Sequence, residues 1–461
     1  MMGQLEVINP SNEEVIDVIR MDDDLMVIDK VKLAQESLED WKETPLEERI
    51  EIVEHFAEVL EEKRDIWAED LSREMGKPLA QARGEFSAVV KRIKFFTEAA
   101  KTEFMPRLAH GKEGGALWEK VSPEPLGVVA NISAWNYPVF VGVNVFVPAL
   151  LAGNVVIYKP SEFAPQTGLN MSQAWFDAGL SQEYFNPIMG DGFIGSELVK
   201  QPLDGLFFTG SYATGMKISQ AMAGRFTRLQ LELGGKDPAY VRPDVDIETA
   251  AAGLAEGAFY NTGQSCCAVE RIYVHESVHD AFVKAFVDAV AGFKVGDPFE
   301  EGVFIGPLTQ EEQLPVLKAQ VEDAVAKGAE IALGGKRRDG KGYFFEPTVL
   351  TNVSHEMEVM REETFGPVIG IHKVSDDSEA LRLMNDTRYG LTASVFTKDQ
   401  DVASGLMDKL QAGTVYWNCC DRVSPYTPWT GWKDSGIGST LGLEGLRTMV
   451  RPKSWHFRRP A

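Results

Sequence analysis

Three short segments, far apart in the chain, carry side chains suited to attack on a carbonyl group. The first is Phe259-Tyr260-Asn261-Thr262-Gly263-Gln264-Ser265-Cys266-Cys267. A helical pattern from about Asp246 to Phe259 stops at Thr262-Gly263 and delivers Cys266 into a loop, where a thiolate can serve as nucleophile. A lone cysteine is more often a small buried hydrophobe, so Cys266 gains meaning only from its partners. The second segment, Leu231-Glu232-Leu233-Gly234-Gly235-Lys236, places a carboxylate between apolar residues at a strand end. Partial desolvation there raises the pKa toward that of a base working near neutrality; taken alone, Glu232 reads as a solvated loop carboxylate. The third, Ser133-Ala134-Trp135-Asn136-Tyr137-Pro138, sets Asn136 between a strand and an apolar helix. Its amide can donate to a developing oxyanion or merely cap a turn. None of the seven histidines (His55, His110, His275, His279, His355, His372 and His456) lies near these segments, so a Cys–His hydrolase dyad has little support.

Two further segments end strands with groups suited to a dinucleotide. Val156-Ile157-Tyr158-Lys159-Pro160-Ser161-Glu162 supplies a cation and a carboxylate within reach of ribose hydroxyls. Phe208-Thr209-Gly210-Ser211-Tyr212-Ala213-Thr214-Gly215 is a strand-to-helix turn whose free amides can face a pyrophosphate. It is not GxGxxG, and a Gly-Ser turn after a strand is by itself only a turn.

The elements that must position these residues follow from periodicity. Thr44-Pro45-Leu46-Glu47 reads as a capping box with proline at the first helical position. Ile50, Val53, Phe56 and Leu60 continue that helix until Gly76 and Pro78 stop it. A second helix is predicted from about Leu79 to Phe104. From Pro125 onward short apolar runs alternate with helical stretches up to Leu229–Leu233, and a second alternating series runs from about Ala239 to Asn418. Such alternation implies parallel, doubly wound sheets with ligands at the carboxyl ends of the strands. The stretch Arg107–Val121, rich in glycine and charge, suits a hairpin arm, and the tail Met449–Phe457 would be marginal alone.

Composition narrows the function. The chain has 461 residues, long enough for two to three domains. Its 44% hydrophobic and 25% charged residues are those of an ordinary globular protein with a large core. A net charge of -23 would repel a phosphate backbone, so no nucleic-acid partner is expected. The longest apolar run, Val139–Ala152, is broken by Asn144 and Pro148 and is too short for a bilayer, which needs about 20 apolar residues; no membrane partner is expected. Met1–Asp17 is polar and acidic without the pattern of a secretory signal. The four cysteines form two adjacent pairs, Cys266-Cys267 and Cys419-Cys420, which is neither a disulfide framework nor a CxxC metal pattern. Reduced thiols, a cytoplasmic location and no bound metal are the expectation.

Taken together, the segments resemble the aldehyde dehydrogenase superfamily of NAD(P)-dependent, non-acylating type, over nearly the whole chain. Gln-Ser-Cys, Glu-Leu-Gly-Gly-Lys, Trp-Asn-Tyr-Pro, Lys-Pro-Ser-Glu, Phe-Thr-Gly-Ser and Glu362-Glu363-Thr364-Phe365-Gly366-Pro367 occur in the family's order. The resemblance implies Cys266 as nucleophile beside a structural Cys267, Glu232 as general base, and Asn136 with the Cys266 amide as oxyanion hole. Lys159 and Glu162 resemble contacts to the adenosine ribose, and Gly210, Ser211 and Gly215 the pyrophosphate region. Glu363 and Phe365 are similar to residues that hold the nicotinamide ribose and ring, with Ser133, Trp135 and Leu233 alongside. The implied fold is α/β: a Rossmann-like parallel-sheet cofactor domain (residues 1–106 and 122–235), an α/β catalytic domain (236–433), and a small β oligomerisation arm (107–121 and 434–461) used in homodimers or homotetramers.

The implied reaction is NAD(P)-dependent oxidation of a small-molecule aldehyde to its acid through a cysteine thioester. An acylating dehydrogenase, a thiol hydrolase without redox, or a catalytically silent member with a structural role are the rivals. Glu162 should favour NAD over NADP, since a carboxylate repels a 2′-phosphate. The aldehyde tunnel is expected along Tyr137, Asn144, Tyr260, Asp421, Val423 and Trp429. Succinate-semialdehyde enzymes carry arginine at the positions of Asn144 and Tyr260; neither is basic here, which argues against a carboxylate-tailed aldehyde. The aromatic walls suit apolar aldehydes, or cationic ones by cation–π attraction, or are plain core packing.

Overall fold

The computed structural model describes residues 3–460; Met1, Met2 and Ala461, at the outer ends of the first and last expected segments, lie outside the described residues. The first long helix runs from Leu46 to Met75. The expected capping box does not form: the Thr44 hydroxyl donates back to Asp40 O at 3.1 Å, and Pro45 occupies the cap without a side-chain bond. The helix ends as expected at Gly76, whose φ of +81° suits glycine. A Cβ there would also lie 2.6 Å from Pro307 Cγ, so the turn admits no side chain. The next helix, Leu79–Glu103, packs against it.

The first alternating series forms a six-stranded sheet. Its spatial order is Gly436–Ile437, Arg228–Glu232, Gly205–Thr209, Val128–Ile132, Val155–Lys159 and Phe185–Pro187. All neighbours are parallel except the first pair. Val128–Ile132 and Val155–Lys159 are buried at every residue, which is why they read as unbroken apolar runs rather than alternating ones. The strand order reverses between Val128–Ile132 and Gly205–Thr209, which opens a crevice at their carboxyl ends. The apolar helix Pro138–Leu151 crosses that end, with proline at its first position and twelve of its residues buried. Asn154 fastens its far end: the side-chain amide donates to Ala149 O and Met449 O, both at 3.0 Å, and accepts from Gly127 N at 2.9 Å.

The second series forms a seven-stranded sheet ordered Glu330–Leu333, Thr348–Thr351, Val368–Val374, Val269–His275, Asp237–Val241, Thr392–Phe396 and Thr414–Trp417. Only its first pair is antiparallel. Separate apolar clusters fill its two faces. Arg107–Gly111 and Leu117–Pro125 form the expected hairpin, and Val450–Arg458 adds a third antiparallel strand. The segment 434–461 therefore divides: Gly436–Ile437 edges the six-stranded sheet, and only Val450–Arg458 joins the hairpin. Among the described residues no helix is long and apolar enough to cross a membrane.

Candidate active site

The three segments converge on one cavity of about 1660 Å³ between the two large sheets, lined by Cys266, Glu232 and Asn136 together. The loop that carries Cys266 is built from unusual backbone. Asn261, Thr262 and Gly263 adopt φ of 53°, 60° and 73°, a run that only strong local bonding sustains in non-glycine residues. Asn261 N donates to Gln81 Oε1 at 3.0 Å, and Thr262 Oγ1 bonds Gly306 O at 3.2 Å. Gln264 Oε1 accepts Thr309 N at 2.9 Å. Both cysteines line the cavity; Cys267 is buried, its thiol donating to Asp421 Oδ1 at 3.0 Å, whereas Cys266 is half-buried. Among the described residues the Cys266 N–H has no hydrogen-bond partner.

Asn136 is fixed from both sides. One amide hydrogen bonds Gln264 O at 3.1 Å, and its backbone carbonyl accepts Lys77 Nζ at 2.8 Å and Asn261 Nδ2 at 3.1 Å. Lys77 is itself buried, 2.5 Å from Glu85 Oε2 and 4.0 Å above the Tyr137 ring. Glu85 in turn accepts Val139 N at 3.0 Å and Phe140 N at 3.2 Å, so it caps the helix that follows Asn136. Neither Lys77 nor Glu85 emerged from the sequence reading.

Glu232 ends its strand inside the cavity wall. Burial pushes its carboxyl up to about 7, against donors from Thr440 and Gln230 and the charge of Arg92. Gln230 Nε2, at 3.1 Å, and the Thr440 hydroxyl both bond Oε1, which leaves Oε2 free. Thr440 is held opposite Trp429 by paired backbone bonds of 2.7 and 2.9 Å. The C-terminal segment thus holds Glu232 directly, a role its position in the chain does not disclose.

A second lobe of the same cavity contains the residues expected at a dinucleotide. Lys159 and Glu162 line it, 3.6 Å apart, with Lys159 almost fully buried and Glu162 partly open. Ser133, Gly210 and Ser211 line it as well, and Ser211 Oγ caps its own helix at Thr214 N. Gly215 does not line it: a Cβ there would drive into Leu233, so Gly215 leaves room for the Leu233 side chain, which does line it. Trp135 and Phe365 meet edge to face with centroids 5.4 Å apart. Glu270 holds that loop by accepting Thr364 N at 2.8 Å and Phe365 N at 3.0 Å, while pairing with Lys236 at 2.6 Å. Glu363 accepts Gly235 N at 3.1 Å, and a Cβ on Gly234 would collide with its carboxylate. These residues fit a nicotinamide dinucleotide: a partly open carboxylate for ribose hydroxyls, the buried hydroxyl of Ser133 without a protein partner, and aromatic edges where a planar ring can lie.

Tyr137, Asn144, Tyr260, Asp421, Val423 and Trp429 all line the opposite lobe. Asp421 is engaged by Ser265 Oγ and Cys267, each at 3.0 Å, and burial raises its carboxyl to about 6. The sequence reading found no basic residue at Asn144 or Tyr260, and the structure brings one in from another helix. Arg92 enters from the helix Leu79–Glu103, donates to Asn144 Oδ1 at 2.9 Å and lies 3.8 Å from the centroid of the Phe140 ring. A signal existed: Glu85 and Arg92 sit seven apart on the same face as Phe86, Val89, Ile93 and Phe96, so charge interrupts an apolar stripe.

Comparison with known proteins agrees with this geometry. The model of the aldehyde dehydrogenase family matches residues 2–455. An aminoaldehyde dehydrogenase of Pisum sativum is 35% identical over 456 residues, covering 97% of this chain and 91% of that protein. A succinate-semialdehyde dehydrogenase [NADP(+)] of Deinococcus radiodurans is 33% identical, covering 97% and 93%. The crystal structure of a betaine aldehyde dehydrogenase point mutant from Staphylococcus aureus in complex with NAD+ superposes with a TM-score of 0.95 at 32% identity, covering 99% and 94%.

Proposed function

The chain belongs to the aldehyde dehydrogenase family and is an NAD(P)-dependent oxidoreductase acting on aldehydes; from that premise we propose that Cys266, Asn136 and Glu232 carry the reaction. The single observation that supports this is their convergence on one cavity, with an accessible sulfur, a pinned amide and a desolvated carboxylate. The Cys266 thiolate adds to the aldehyde carbon. The Asn136 side-chain amide and the free Cys266 N–H donate to the oxyanion, the arrangement whose loss typically costs about 3 kcal/mol. A bound nicotinamide cofactor would supply the hydride acceptor for this oxidation, and the acyl group would remain on Cys266 as a thioester. Glu232 Oε2 takes a proton from water, the hydroxide adds to the thioester carbon, and the Cys266 sulfur departs as thiolate with release of the acid. Acyl transfer to coenzyme A would not require that base, so Glu232 favours hydrolysis.

Lys159 and Glu162 would hold the adenosine ribose, Gly210 and Ser211 the pyrophosphate, and Glu363, Phe365, Ser133, Trp135 and Leu233 the nicotinamide end. Glu162 favours NAD over NADP because a carboxylate repels a 2′-phosphate. The fully exposed strand Arg107–Gly111 and its neighbours form the surface for a homodimer or homotetramer. Four free thiols suit a reducing compartment such as the cytoplasm. A panel of aliphatic, aromatic, amino- and semialdehydes, scored by absorbance of reduced nicotinamide with and without coenzyme A, tests the reading. The expected result is coenzyme A-independent reduction that vanishes in Cys266→Ala. Coenzyme A-dependent product, or activity surviving that substitution, would overturn it.

A further inference from the structure

The lobe beyond Cys266 contains a cation with which, among the described residues, no carboxylate forms an ion pair, although the charges of Glu85 and Glu232 act on it. Arg92 is only 6% exposed, yet it lines the cavity. Its Nη1 donates to Asn144 Oδ1, and among the described residues no acceptor lies within hydrogen-bond distance of Nε or Nη2 and no carboxylate forms an ion pair with it. The nearby acids are engaged elsewhere: Glu85 with Lys77 and two backbone amides, Asp421 with Ser265 and Cys267, Glu232 with Gln230 and Thr440. Burial lowers the Arg92 guanidinium to about 10, which still leaves it charged at neutral pH. An unpaired buried charge is costly, and a well-folded wall keeps one where a ligand completes the pair.

The geometry is that of a receptor for a carboxylate. Stacking on Phe140 and the bond to Asn144 fix the guanidinium plane. The edge formed by Nε and Nη2 remains, and that edge matches the two oxygens of a carboxylate. Asn144 stands six residues into the helix Pro138–Leu151, about 9 Å along its axis from the end beside Asn136. The anion site is therefore separated from the oxyanion site by a short aliphatic chain.

We propose that Arg92 is the specificity-determining residue of this enzyme, and that the preferred substrates are aldehydes with a terminal carboxylate, held by the Nε–Nη2 edge while the carbonyl sits at Cys266. The proposal rests on the reading of Cys266, Asn136 and Glu232 given above. It replaces the expectation drawn from the non-basic Asn144 and Tyr260, because the cation arrives from a different helix. Cationic aminoaldehydes are disfavoured by the same charge.

The test compares kcat/KM for succinate and glutarate semialdehydes with that for butanal, pentanal and aminobutyraldehyde, in the native enzyme, Arg92→Met and Arg92→Lys. Because Arg92 also acts on Glu232, the readout is the ratio of carboxylate-tailed to neutral substrate, in which a shared change cancels. Charge-assisted hydrogen bonds of this kind predict a ratio about 10–100-fold lower in Arg92→Met, carried mainly by KM. Arg92→Lys should recover part of it, and Arg92→Met should accept aminobutyraldehyde better. Butyrate and valerate should also compete with pentanal in the native enzyme but not in Arg92→Met, a readout that structural damage alone would not produce. An unchanged ratio, or a native preference for neutral or cationic aldehydes, would overturn the inference while leaving the three-residue chemistry intact. Absence of nicotinamide reduction with every aldehyde would instead overturn the chemistry.

Discussion

Replacing Glu232 by glutamine removes a cavity-lining carboxylate whose Oε1 holds both protein donors and whose Oε2 holds none. The glutamine fills the same space but cannot take a proton from water. Hydride transfer precedes that step, so the first turnover should survive. Reduced nicotinamide should appear as a burst of one equivalent per active site, followed by a steady state slower by about 10²–10⁴-fold, the usual contribution of a positioned base. The pH profile supplies a second magnitude. With the carboxyl at about 7, about one site in eleven is ionised at pH 6 and about ten in eleven at pH 8, so the native hydrolysis rate should rise about tenfold across that interval. The rise follows from the sign of the shift: burial favours the protonated form, and only the ionised form is a base. Stopped-flow absorbance over pH 5–9 measures both quantities. A native profile flat between pH 6 and 8, or a Glu232→Gln enzyme that loses the burst together with the steady state, would refute the assignment of Glu232 to hydrolysis.

Four other outcomes follow from the same structure. Asn136→Ala should lose about a hundredfold or more in kcat while keeping cofactor affinity, as read by quenching of tryptophan fluorescence. Lys77→Met leaves the Glu85 carboxyl buried without its partner and should destabilise the fold by about 3–5 kcal/mol in denaturant titrations, with part of the loss recovered when Glu85→Gln is added. Glu162→Gln should raise kcat/KM with NADP relative to NAD by about tenfold, since it removes a like charge from the 2′-phosphate. Removal of residues 450–460 exposes the strand Leu117–Pro125 and unstacks Trp118 from Phe457, now 3.8 Å apart, and should lower the assembly state in light scattering.

The sequence made the alternating architecture legible because strands buried on both faces are unbroken apolar runs, and helices between them keep a period near four. Val128–Ile132 and Leu79–Glu103 are the clearest cases. Asn136, Glu232 and Cys266 were legible because each stands at an element end in a distinctive local setting. Groups that act across the fold were not. Thr440 bonds Glu232 from 208 positions away, and Lys77 reaches Asn136 across 59. Arg92 was hidden differently: its charge on an apolar stripe was visible, but which cavity it entered depended on the packing of two helices. Thr44 misled because its local capping pattern competed with an easier bond back to Asp40, and Gly215 because a glycine near a turn can serve the packing of Leu233 as readily as a ligand.

The account depends on acylation of one sulfur. Glu232→Gln enzyme should be mixed with aldehyde and cofactor, quenched in acid within the burst, digested, and analysed by mass spectrometry. The expected result is the acyl mass on the thiol of Cys266, near stoichiometric and absent without cofactor. Acyl mass on Cys267, Cys419 or Cys420, or no adduct while reduced nicotinamide has formed, would contradict it.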